Sequence, residues 1–266
     1  MLGKLLKYDL KYGVKIFVLI HAILFIASIL GRIFFMNRID FEHADGIMVS
    51  SLVIFSAVVM FLYMVVCFST WLLIAIRFYR NLFTREGYLS WTLPVSGIQQ
   101  LWAKILSGCI WFILDCIICA LGVLILVTGK NVTDAYSTIA PEVTKELGMT
   151  ISSFGLSIFV ITLVSSIGSV ILVYFCITMG QLFPAHRVLG ALAVYFIYSI
   201  VVQIISSIIL VAMGLFPNYL DSKITAQNPA DYMLTIFGVS IAIMAVTTVI
   251  QYMVIHYIMK NKINLV

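Results

Sequence analysis

Of 266 residues, 63% are hydrophobic and only 10% are charged, far from the roughly 25% charged of a soluble domain. The chain therefore reads as an integral membrane protein. Its net charge of +5 calls for no nucleic acid, because the basic residues gather beside apolar spans and not in one extended stripe.

In chain order, residues 1–13 come first. At 100° per residue, Lys4, Lys7, Lys11 and Lys15 fall within about 80° of one another on a helical wheel, and Leu2, Leu5, Leu6, Leu10 and Tyr12 cover most of the rest. That pattern predicts an amphipathic helix in the inner interface, its lysines toward anionic headgroups of the membrane lipids. Asp9 falls in the middle of the apolar arc, where an unpaired carboxylate is costly. The expectation is a pair with Arg77, Arg80 or Arg85, with access to headgroup water as the alternative. The apolar stretch that follows is longer than a signal-peptide core and is expected to remain as the first membrane helix.

A bilayer is crossed by about 20 apolar residues, and six stretches qualify: 14–36, 47–78, 97–128, 150–183, 188–216 and 232–259. Several must tilt, kink or project beyond the hydrocarbon. Eleven of the 16 basic residues fall on one side: Lys4, Lys7, Lys11, Lys15, Arg77, Arg80, Arg85, Lys104, Arg187, Lys260 and Lys262. Arg32, Arg38, Lys130, Lys145 and Lys223 fall on the other, with Asp40, Glu42, Asp45, Asp134, Glu142, Glu146, Asp221 and Asp231. By the positive-inside rule both termini are cytoplasmic. The largest external loop, 129–149, contains Pro141 and scattered charges and predicts at most one short surface helix.

Between the second and third spans lies a polar break. Thr84 is placed to N-cap a helix with Glu86 in its first turn, and Pro94 stops that helix. Ser96 followed by Gln99 has capping-box spacing and opens the third span at Gly97. Residues 79–96 thus predict a cytoplasmic loop holding one short helix. The runs Phe78-Tyr79-Arg80-Asn81-Leu82-Phe83, Glu86-Gly87-Tyr88-Leu89 and Thr92-Leu93-Pro94-Val95-Ser96 resemble the signature loop of bacterial ABC-2 type transporter permeases. The opening Met1-Leu2-Gly3-Lys4-Leu5-Leu6-Lys7-Tyr8 is similar to that of Gram-positive members. The resemblance implies that this loop is a coupling helix docking on a separate ATPase, with Phe83, Thr84, Arg85, Glu86, Gly87, Tyr88, Leu89, Leu93 and Pro94 at the interface. An interfacial helix that only packs on the membrane surface is the plainer alternative.

Asp115 is the one acidic residue well inside a span, where carboxylates mark a pathway, a proton relay or an interhelical pair. Its partner must lie on another helix or subunit. Gln181, Gln203, Gln251, His21 and His256 are available by type, and the roles open to Asp115 are an interhelical hydrogen bond or contact with substrate. The small-xxx-small spacing of Ser153 with Ser157 and Ser165 with Ser169 allows close helix approach, within the subunit or at a dimer interface.

Cys67, Cys109, Cys116, Cys119 and Cys176 all fall in predicted spans and read as buried thiols. The Cys116–Cys119 CxxC has no histidine or second pair at metal spacing, so no metal is expected. Neither Gly3-Lys4 nor Gly129-Lys130 has the glycine and Ser/Thr neighbours of a phosphate-binding loop, and there is no HExxH or GxSxG. The chain is thus expected to be no enzyme and to hold no cofactor, ATP and Mg belonging to the partner ATPase. The expected architecture is an all-α membrane permease with an N-terminal interfacial helix, six transmembrane helices and a coupling helix. The family resemblance implies a bacterial cell-membrane exporter of peptides, drugs or other amphipathic molecules, paired with a second permease copy or paralogue. A secondary transporter or channel, or a non-transporting sensor or scaffold, is the alternative.

Overall fold

The computed structural model describes residues 2–36, 45–214 and 229–261. Arg38, Asp40, Glu42, Asp221, Lys223 and Lys262, which enter the charge balance above, lie outside them, as does the predicted end of the fifth span at 215–216. The described residues form helices without a strand: α1 (Leu2–Gly31) running into a π-helical turn (Arg32–Met36), α2 (Gly46–Phe83), α3 (Arg85–Trp91), α4 (Gly97–Val127), α5 (Lys130–Leu147), α6 (Ile151–Gly180), α7 (Arg187–Ala212) and α8 (Pro229–Asn261). Six of them, α1 with its π-helical turn, α2, α4, α6, α7 and α8, are long and apolar enough to cross a membrane. This is the all-α, multi-pass architecture that the apolar runs predict.

The helix ends follow local chemistry. The Ser96 hydroxyl accepts from the Gln99 amide at 3.3 Å and opens α4, and Thr150 does the same for α6 from Ser153 at 3.2 Å; each satisfies an amide that the helix cannot. Gly148 ends α5 at φ 81°, a left-handed conformation that glycine adopts without a Cβ penalty. The loop expected to hold at most a short surface helix forms an 18-residue helix, α5, with Pro141 inside it, and none of its residues 131–147 is buried.

Two boundaries differ from expectation. The predicted interfacial helix over residues 1–13 is not a separate element, since Leu2–Gly31 is one unbroken helix. The weak helix former at the expected junction, Gly13, is held against α4: a Cβ there would lie 3.3 Å from Trp111 Cζ2. Packing of α1 along α4 thus carries the helix through a residue that costs about 1 kcal/mol relative to alanine. Residues 79–83, assigned to the coupling loop, are the last turn of α2.

Burial is uneven along the bundle. Ile74, Phe78, Leu82 and Phe83 near the end of α2 meet Leu101 and Ile105 of α4, Val170, Ile171, Val173 and Tyr174 of α6, and Ile255 and Met259 of α8. Phe78 and Tyr174 are stacked at its centre, ring centroids 3.8 Å apart. This core sits at the α3 end. Elsewhere the outward surface is apolar, and none of the most hydrophobic stretch of α7 or α8 is buried, as lipid-facing helices require. The small residues of α6 serve packing within the chain at Gly168, where a Cβ would collide with the Met244 side chain of α8. Ser157 and Ser169 bond to carbonyls of their own helix.

Candidate functional site

α2 is 38 residues long, about 57 Å at 1.5 Å per residue, and therefore exceeds a hydrocarbon core of about 30 Å. At its end Thr84 takes an extended conformation, φ −113° and ψ −173°, and α3 packs back on the end of α2. Thr84 stands at the N-cap as the sequence suggests, but its hydroxyl donates backward to the Arg80 carbonyl at 2.6 Å and caps no α3 amide.

α3 is anchored on two sides. The Trp91 indole N–H donates to the Leu82 carbonyl at 3.2 Å, and the Gln100 amide of α4 donates to the Ser90 carbonyl at 2.5 Å. Gly87 sits where α3 crosses the last turn of α2, and a Cβ there would lie 2.8 Å from the Leu82 carbonyl carbon and oxygen. Arg80 forms an ion pair with Glu86, tying α2 to the first turn of α3, and also donates to the Tyr12 hydroxyl at 3.3 Å.

The nine residues assigned to a docking face therefore divide. Tyr88 (65% exposed), Leu89 (69%) and Leu93 (44%) stand outward, with Arg85, Glu86 and Pro94 also exposed and Thr84 half-buried. Phe83 and Gly87 do not belong to that face. Phe83 is buried edge-on against Phe78, centroids 5.7 Å apart, and Gly87 is the contact with α2.

Beneath α3, Asp9 is buried and accepts three donors on Oδ1: Arg77 Nε at 3.2 Å, Asn81 Nδ2 at 3.3 Å and the Lys104 ammonium. Arg77 is one of the three partners expected. Arg80 and Arg85 are not, the first being paired with Glu86 and the second exposed at the start of α3. Lys104 and Asn81 are partners that the sequence reading missed. The Arg77 guanidinium also lies over the Tyr12 ring, 4.2 Å from its centroid, and Tyr174 donates to the Lys104 carbonyl at 2.9 Å. One carboxylate thus joins α1, α2 and α4. A cavity of about 200 Å³ opens beside it, bounded by Tyr8, Asp9, Arg77, Leu93 and Lys104.

Deeper in the bundle, Asp115 of α4 meets His21 of α1, Oδ1 to Nε2 at 2.6 Å, both side chains buried. Of the five partners available by type, His21 is the one that the fold brings to it. Gln181 instead donates to the Ile177 carbonyl, Gln203 is exposed, Gln251 is buried elsewhere, and His256 lies against Tyr252. His21 Nδ1 faces the Phe17 carbonyl at 2.8 Å. A carbonyl only accepts, so Nδ1 carries a proton, and Nε2 and Asp115 hold one further proton between them. Either position leaves the pair neutral as a whole. Phe17 stacks on His21 at 3.8 Å and leans on Trp111 at 4.4 Å, closing the pair under aromatic rings.

Comparison with known proteins returns no matching family model, no matching curated protein and no matching solved structure. The functional reading therefore rests on the residues and their arrangement.

Proposed function

We propose that this chain is the membrane-spanning permease subunit of an ATP-driven ABC exporter of the ABC-2 type, in a bacterial cell membrane with both termini cytoplasmic. The observation that carries the reading is α3, a seven-residue helix between the second and third long apolar helices. It turns exposed Tyr88 and Leu89 outward while its inner face is pinned to α2 and α4. An apolar pair at the tip of a polar loop suits docking in the cleft of a soluble partner, and the resemblance of this loop to permease coupling helices names the partner as an ATPase.

In this mechanism ATP and Mg bind in the partner, and its closure pushes on α3. Gly87 against Leu82 passes the push to α2, and Gln100 against Ser90 passes it to α4. The Asp9 cluster makes α1 follow both. The cavity beside Asp9 gives α3 room to shift without opening the aromatic core. Two copies, or this chain and a paralogue, enclose the path between exposed apolar helices, and a peptide, drug or other amphipathic cargo fits walls of this composition.

The test is purification of the tagged chain from native membranes under gentle solubilisation, wild type beside a Glu86→Lys, Tyr88→Ala variant. An ATPase that co-purifies stoichiometrically with the wild type and is lost from the variant supports the proposal. No ATPase in either sample, with the chain monodisperse, sinks it.

A second reading, proton-driven transport without ATP, draws on the proton shared by His21 and Asp115. It predicts uptake or efflux in proteoliposomes under a pH gradient alone. If the chain neither recruits an ATPase nor transports under a gradient, a non-transporting sensor or scaffold is left.

A further inference from the structure

We propose that His21, Asp115 and Cys119 form a binding site for one zinc-class divalent cation inside the bundle. The ligating atoms of the three residues lie within 4.8 Å of one another. Around a tetrahedral zinc, ligand atoms about 2.0–2.3 Å from the metal stand roughly 3.3–3.7 Å apart, so seating a metal opens the His21–Asp115 contact from its 2.6 Å. Asp115 and Cys119 are four residues apart on α4 and share a face, and His21 comes from α1. Two helices thus converge a nitrogen, an oxygen and a sulfur donor, a set that suits zinc and not magnesium or calcium.

One further observation favours a metal over a purely structural pair. His21 donates Nδ1–H to the Phe17 carbonyl, the supporting bond that fixes the tautomer and aims Nε2 at a metal.

Metal binding by the chain alone does not depend on any ATPase, so it is tested apart from the transport reading. The purified full-length chain in detergent is stripped with a chelator and titrated with Co²⁺ as the probe. The expected result is thiolate-to-cobalt charge-transfer absorption that saturates at one equivalent and is displaced by Zn²⁺. Cys119→Ser should abolish the band and weaken binding by more than the roughly 10–100-fold that loss of a supporting hydrogen bond brings. Cys109→Ser, on the same helix but outside the group, should change nothing. As a second readout, excess Zn²⁺ should raise the Tm of the wild type by linkage and not that of His21→Gln. No band with the wild type, a band that survives Cys119→Ser, or an equal Tm response in wild type and His21→Gln would overturn the site.

Discussion

Two buried aspartates, placed on the same pair of helices, do opposite things. Asp9 is answered by a guanidinium, an ammonium and a carboxamide from α2 and α4. Asp115 is answered by a histidine and has the Cys119 thiol close by. The first arrangement ties three helices together and acts as a joint. The second is a neutral hydrogen-bonded pair beside a thiol, the group to which the proposed metal site belongs. Burial alone does not distinguish them; the chemistry of the partner does.

The largest effect is expected where the joint is broken. Asp9→Ala leaves Lys104 and Arg77 without their counter-charge, and removing one partner of a buried pair costs about 3–5 kcal/mol. The measure is unfolding in detergent. Asp9→Leu combined with Lys104→Met should recover part of the loss, because the desolvation of the Asp9–Lys104 pair is then avoided while Arg77 stays without its counter-charge. A loss below about 1 kcal/mol in Asp9→Ala, the size of an exposed pair, would mean that Asp9 is no joint.

Next in size is Gly87→Val. Branched carbons placed 2.8 Å from the Leu82 backbone must push α3 away from α2, at about 1–3 kcal/mol for an overpacked contact. Valine at Gly155, where nothing lies within 4 Å, should be free of that steric loss. Trp91 fluorescence and protease sensitivity of residues 84–96 report the displacement. If α3 is unmoved in Gly87→Val, it is not rigidly keyed to α2 and the joint does not extend to the docking face.

Much of this contrast was within reach of the sequence, and the missing part has one cause. The six apolar helices, the Ser96 cap and the need of Asp9 for a cation all follow from local pattern. Lys104 was counted as a flanking positive charge, 95 positions from Asp9 in the chain, and no helical wheel of α1 can place it. Phe83 and Gly87 were assigned to the outer face because their side follows from how α3 folds back on α2, a fact about the turn at Thr84. The Cys116–Cys119 pair has no metal partner at local spacing, so the sequence predicts no metal there. The proposed group takes Cys119 alone and joins it to Asp115 on the same helix and His21 on α1, so the relevant spacing is across helices.

Asp115→Asn probes the His21–Asp115 pair with a smaller change. The amide keeps the shape of the carboxyl and one hydrogen bond to His21 and removes the movable proton, so the expected loss of stability is about 1–2 kcal/mol. Transport, once assayed, should lose its pH dependence if that proton is used. Unchanged transport and pH response with lowered thermal stability would leave Asp115 a structural partner of His21.

The smallest effect is predicted for the Arg80–Glu86 pair, which lies at the same end as Asp9 and has the same charge chemistry but no burial to amplify it. Both side chains are nearly half exposed, and water and salt screen such pairs. Arg80→Ala should leave the Tm in detergent unchanged within error. Glu86→Lys should be as neutral for folding while still disrupting any partner that reads the charge of α3. That separation between stability and docking is what makes Glu86 informative and Asp9 not. A clear fall in Tm for Arg80→Ala, equal to that of Asp9→Ala, would instead join the two pairs into one network through Tyr12, which touches both arginines. The boundary between joint and docking surface would then lie farther out than α3.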